Sequence, residues 1–154
     1  MVDVLTPEQR RLNMSRIKGR NTKPELLIRK ALHARGLRYR LHRGDLPGKP
    51  DIVLSGYRAV VFVHGCFWHA HKCSLAKLPE TSASFWRQKI DGNAVRDERA
   101  ITELRANGWR VGVVWECAVR GPWRQNLTLL TDRLVKFIQS KRAVTQDFTE
   151  KSHD

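Results

Sequence analysis

The stretch WRVGVVW, Trp109–Trp115, is apolar at nearly every position, the pattern of a strand buried on both faces between layers of helices. A strand with one wet face would alternate instead. Both flanks agree with a layered fold. Ser82 to Asn107 reads as helical, broken at Asp91-Gly92, with Ile101 and Leu104 on its apolar side and Gly108 as its stop. Downstream, Leu127, Leu130, Leu134, Phe137 and Ile138 form the buried stripe of an amphipathic helix. Upstream, Leu37–Leu41, Asp51–Leu54 and Ala59–Val63 are short β-rich runs separated by Gly, Pro and Asp. They read as three consecutive strands, the first two a hairpin-like meander. Helix, strands, helix, strand, helix predicts an α/β fold, a mixed central sheet flanked by helices.

The N-terminal part carries two helix-start signals. Thr6-Pro7-Glu8-Gln9 places Pro at the first helical position and Gln three residues after the cap, and Gly19 stops that helix. Its face is mostly Arg, Lys and Asn, so it has little to bury on its own. Thr22-Lys23-Pro24-Glu25 repeats the signal, followed by Leu26, Leu27, Ala31 and Leu32 as an apolar stripe that ends at Gly36. The chain thus divides into a basic arm over 1–20, a single domain over 21–142 and a polar tail over 143–154 that is expected to be disordered.

Composition narrows the function. At 154 residues and 41% apolar content the chain suits one domain with a real core. Its 29 Lys and Arg against 15 Asp and Glu give a formal charge of +14, which points to a polyanionic partner. Residues 1–50 hold 13 basic and 4 acidic side chains, so +9 of that charge sits early. Nucleic acid fits; a membrane does not, because no window approaches the roughly 20 apolar residues of a span. No basic start followed by an apolar run opens the chain, so a cytoplasmic location is expected. Three cysteines, Cys66, Cys73 and Cys117, suit metal binding better than a disulfide framework in a reducing compartment.

The densest chemistry lies in Phe62–Cys73, FVHGCFWHAHKC, which combines His64, His69 and His71 with Cys66, Cys73 and the Phe67-Trp68 pair. Imidazole and thiol bind zinc or move protons near neutral pH. Pro50-Asp51 opens the neighbouring strand, where a carboxylate can hold Mg²⁺ against a phosphodiester. Read alone, a Pro-Asp dipeptide is weak evidence, and a turn or strand-start role for Asp51 is the favoured reading. For zinc, His71 and Cys73 are two apart and turn to one side of extended chain, with Cys66 and His69 also eligible as ligands. Trp86 on its helix and Trp109 and Trp115 in their strand read as core by default.

LPGKPDIVL, VFVHGCFWHAHKC, FWRQKI and NAVRDERAITELRANGWRVGVVWECAVRG occur in this order and spacing from about Asn13 to Gly121. In them the chain resembles the very-short-patch repair endonucleases, the Vsr type. The resemblance implies a restriction-endonuclease-like core and nicking of DNA on the 5′ side of the thymine in a T·G mismatch left by 5-methylcytosine deamination. It implies Mg²⁺ at Asp51 with a main-chain carbonyl near Val63, His69 as base or proton carrier, and His64 and Glu25 beside them. Val61-Phe62-Val63 stands where ordinary restriction enzymes carry Glu-x-Lys, and Val63 stands where the family carries Thr. His71, Cys73, Asp97 and Cys117 match the family's structural Zn²⁺ ligands. Phe67, Trp68 and Trp86 match rings that wedge into the duplex beside the mismatch. Arg16, Lys18, Arg20 and Lys23, with Arg29 and Lys30, form a basic cluster suited to phosphate. The implied partner is double-stranded DNA bound by a monomer, with room for a mismatch-repair protein.

Two other readings share these residues: a restriction-type enzyme that cuts both strands, and a non-catalytic, zinc-stabilised DNA-binding module. The joint presence of Asp51, His64, His69 and Glu25 argues for chemistry, since binding alone needs none of them.

Overall fold

The computed structural model describes residues 21–69, 71–73, 75, 82–140, 142 and 145–151. The helix expected over Thr6–Gly19 and the basic residues Arg16, Lys18 and Arg20 lie outside these. Helix α1 spans Lys23–Ala34 and is followed by β1 (Arg40–Leu41), β2 (Ile52–Leu54) and β3 (Ala59–His64). Then come α2 (Ala83–Ala106), β4 (Arg110–Trp115), the short α3 (Glu116–Val119), α4 (Leu127–Gln139) and β5 (Thr145–Phe148). The five strands form one mixed sheet in sequential order. β1, β2 and β3 are antiparallel neighbours, whereas β3, β4 and β5 run parallel.

Two apolar layers cover the sheet. Ile28 and Leu32 of α1 and Leu130, Leu134, Phe137 and Ile138 of α4 pack on Ile52, Leu54, Val61 and Val114. Leu104 and Ile101 of α2 pack on Val53, Val60, Phe62, Val111 and Val113 from the other side. Each such side chain stabilises the fold by roughly 1.5–3 kcal/mol when fully buried. Gly112 in the centre of β4 lets α4 close in, since a Cβ there would come within 3.0 Å of the Phe137 ring. Buried Arg110 donates to the carbonyls of Phe137 and Ile138, satisfying groups that the end of α4 leaves open, and to Tyr57 O at 2.8 Å.

Four expectations change. Of the expected α1 stripe Leu32 is buried, but Leu26 and Leu27 are 38% and 42% exposed, and Glu25 and Ile28 are buried instead. A buried polar anchor at Glu25 rotates the helix by one position. α2 runs unbroken through Asp91-Gly92. One helical glycine costs about 1 kcal/mol, which the burial of Ile90, Ala100 and Leu104 outweighs. Leu127 opens α4 largely exposed, so that helix's stripe begins at Leu130. Finally, residues 145–148 do not fray as a polar tail. They pair with Val111–Val114, and Phe148 is buried against Phe137 at 6.1 Å between ring centroids.

Candidate functional site

The end of β3 organises three clusters of titratable side chains. Strand alternation sends Val61 and Val63 to the α1 and α4 layer and Phe62 and His64 to the α2 side. β2 stops pairing at Ile52, so the residue before it, Asp51, can turn its carboxylate onto the free Val63 amide, which donates to Oδ2 at 2.7 Å. The main-chain contact at Val63 is thus its N–H.

Glu25 comes from α1. Thr22 caps that helix by accepting from Glu25 N at 3.3 Å, and the Glu25 carboxylate reaches back to accept from Asn21 N at 3.0 Å. This is a capping box displaced by one residue. Glu25 is only 1% exposed, and it also accepts from Arg29 Nη1 at 3.1 Å and His42 Nε2 at 2.9 Å. Donor atoms of Glu25, His42 and Asp51 all lie within 4.8 Å of one another. Burial, reinforced by the neighbouring Glu25 carboxyl and opposed by the Val63 amide, pushes Asp51 up to about 7. The two carboxylates suit a hard divalent cation, with the His42 imidazole bonded to one of them.

The second cluster joins His64, His69 and Asp97. His64 ends β3, is 6% exposed and stacks on His69 at 3.8 Å with rings nearly parallel. Burial, with the adjacent His69, lowers His64 to about 3, and among the described residues its Nδ1 has no hydrogen-bond partner. His69 Nδ1 hydrogen-bonds the Asp97 carboxylate from α2. That bond fixes the ring and leaves Nε2 to exchange a proton. Asp51 and His69 therefore sit in separate groups on either side of the same strand end, joined through the Val63-His64 step.

The third cluster is Cys66, His71, Cys73 and Cys117. Asp97, expected among these ligands, belongs to His69 instead, and Cys66 takes its place. Cys66 and Cys117 are fully buried, with Cys117 N donating to Cys66 Sγ at 3.4 Å. The Cys66 thiol, hydrogen-bonded to Cys117, is driven up, while Cys117 is lowered to about 5 by that same bond, aided by Thr149. Cys117 Sγ lies 3.6 Å from His71 Nδ1. Three sulfurs and one imidazole converging from the loop after β3 and from α3 match a closed tetrahedral metal site.

Trp115 was expected as plain core; it is half-buried and lies between clusters. Its ring stacks on His71 at 4.1 Å and turns an edge to His64 at 5.3 Å. The sequence pattern also missed His42, which no motif flags. Phe67, Trp68 and Trp86 do come together, with centroids 5.0–5.8 Å apart and the Lys89 ammonium about 6 Å from both indoles. All three rings are half-buried. Lys23 is exposed at the start of α1. Among the described residues no helix is long and apolar enough to cross a membrane.

Comparison with known proteins places these clusters in context. Residues 2–75 match the family profile described as DNA mismatch endonuclease Vsr. The chain is 51% identical over 117 residues to the type II nicking enzyme V.XorIIP of Xanthomonas oryzae pv. oryzae, covering 76% of this chain and 86% of that one. It is 44% identical to the DNA mismatch endonuclease Vsr of Escherichia coli, over 99% of this chain and 98% of that one. Among solved structures, the catalytic domain of homing endonuclease I-Bth0305I superposes with a TM-score of 0.51 at 19% identity. That superposition spans 76% of this chain and 94% of that domain, and it bears on the fold alone.

Proposed function

The chain belongs to the Vsr family of DNA mismatch endonucleases and is a DNA endonuclease, and from that premise we propose a Mg²⁺-dependent nick 5′ of the thymine in a T·G mismatch. The observation that carries the reading is the Asp51–Glu25 carboxyl pair, held by the Val63 amide one residue from the stacked His64-His69 pair. In this reading the sheet is a restriction-endonuclease-like core that works without a Glu-x-Lys on β3.

Asp51 and Glu25 hold the cation, and the carbonyl of Val63 is an expected further ligand. Magnesium bound there supplies charge stabilisation at the scissile phosphate. His69, oriented by Asp97 through Nδ1, moves a proton at Nε2. Buried His64 stays neutral and packs against the His69 ring, so the proton is carried by one imidazole and not shared by two. Cys66, His71, Cys73 and Cys117 hold a structural Zn²⁺ that ties the loop after β3 to α3. With four protein donors the site leaves no open position for substrate. Phe67, Trp68 and Trp86 form a wedge of rings that unstacks the mismatched step. Lys23 and the basic arm with Arg16, Lys18 and Arg20 contact phosphate, the protein acting on DNA in the cytoplasm as a monomer, with or without a repair protein beside it.

The test uses two duplexes that differ only in T·G against T·A. Selective nicking of the mismatched duplex, lost in Asp51→Ala, is the expected result. Equal cleavage of both rejects the mismatch specificity, double-strand breaks favour the restriction-type reading, and binding without any cleavage favours the non-catalytic one.

A further inference from the structure

Glu25 is held by more than its own helix, and one partner that reaches it from outside is His42. The residue directly follows β1 with its backbone in the left-handed region, φ 49°, a conformation rarely adopted by a residue with a side chain. Its own N–H donates to the Asp51 carbonyl at 3.2 Å, while its ring Nε2 donates to Glu25 Oε2 at 2.9 Å. One residue therefore bridges the segment that carries Asp51 and the helix that carries Glu25.

We propose that His42 is a positioning residue for the cation site, holding the Glu25 carboxylate beside Asp51 so that both converge on one divalent ion. The inference rests on the reading of Glu25 and Asp51 as that site. Two carboxylates buried side by side repel, and a donor bonded to one of them keeps it in place. Arg29 shares the same Glu25 oxygen at 3.1 Å, but it lies on Glu25's own helix and also serves Asn21 Oδ1 at 2.6 Å. Arg29 can follow Glu25 wherever α1 goes, whereas His42 ties Glu25 to the segment that follows β1. Partners of this kind behind a metal ligand typically contribute 10- to 100-fold to metal affinity.

Mn²⁺ binding to the full chain without DNA, read from the disappearance of the free-ion resonance, tests this with activity left out. The wild type is expected to bind one ion that Asp51→Ala releases. His42→Phe keeps the ring volume without a donor and should weaken binding about 10-fold or more. His42→Gln, whose amide can reach Glu25, should recover most of the affinity, whereas His42→Asn, one carbon shorter, should not. Thermal midpoints measured without cation separate a loss of fold from a loss of positioning, and the Gln and Asn variants carry the comparison if the Phe variant is unstable. Wild-type affinity in both His42→Phe and His42→Asn, or an equal loss in Gln and Asn, overturns the role of His42. Mn²⁺ binding that ignores Asp51→Ala overturns the cation reading itself, and with it this inference.

Discussion

The indole of Trp115 lies flat on the imidazole of His71, with centroids 4.1 Å apart and 10° between the planes, while its edge meets His64 at 5.3 Å. One ring thus touches both the cysteine-rich cluster and the paired histidines. Trp115→Ala should therefore lower zinc content and nicking rate together, and lower stability by up to about 3 kcal/mol. Trp115→Phe should keep most of all three. Zinc stoichiometry, nicking kinetics and a denaturant titration on the two variants check this, and a Trp115→Ala protein with full zinc and full activity would refute it.

Asp97 and Cys66 exchange places relative to the expected ligand set, and the exchange is testable. Asp97→Asn should retain one zinc per chain while slowing nicking by about 100-fold or more, because His69 loses the partner that orients it. Cys66→Ala should do the reverse first, shedding zinc and lowering the melting temperature. Loss of zinc from Asp97→Asn would restore the original ligand set.

Asp51 gives the cation-free protein a pH signature. Its folded value, about 7, lies above the ordinary carboxyl value of 3.8. The folded state thus prefers the proton, and the stability this contributes is full below about pH 4 and lost as pH rises through 7. Asp51→Asn removes the penalty. The variant should match the wild type near pH 4, exceed it at pH 8, and lose that advantage when millimolar Mg²⁺ is added. Chemical denaturation at the two pH values measures the gap.

His64 acts in the opposite direction. Burial depresses its folded value to about 3 from an ordinary 6.5, so the fold keeps it neutral. The stability involved is present above pH 6.5 and lost as pH falls towards 3, since only the unfolded chain takes up the proton across that window. His64→Phe should flatten the acid side of the stability profile while abolishing efficient nicking. At neutral pH the cost should be small, because the replaced Nδ1 has no partner to lose among the described residues. An unchanged acid slope in this variant would show that another group carries it.

Reading these clusters from sequence succeeded where the signal is local. WRVGVVW became the central parallel strand, and Asp51 does stand at the head of β2. These follow from periodicity and near-neighbour spacing, which the backbone enforces over a few residues. Helix rotation was less legible. Leu26-Leu27 and Ile28 are adjacent in sequence, and only the inward pull on Glu25 decides which of them is buried.

What the sequence determined by itself is the alternation of helices and strands, the inventory of donors around the end of β3, and the excess of positive charge. What only the tertiary structure decided is the grouping of those donors. Cys66 meets Cys117 across 51 positions, His69 meets Asp97 across 28, and His42 meets Glu25 across 17. Side chains that far apart share a site only after the sheet, the two apolar layers and the late strand β5 have closed, because contact there is set by packing in space and not by spacing along the chain.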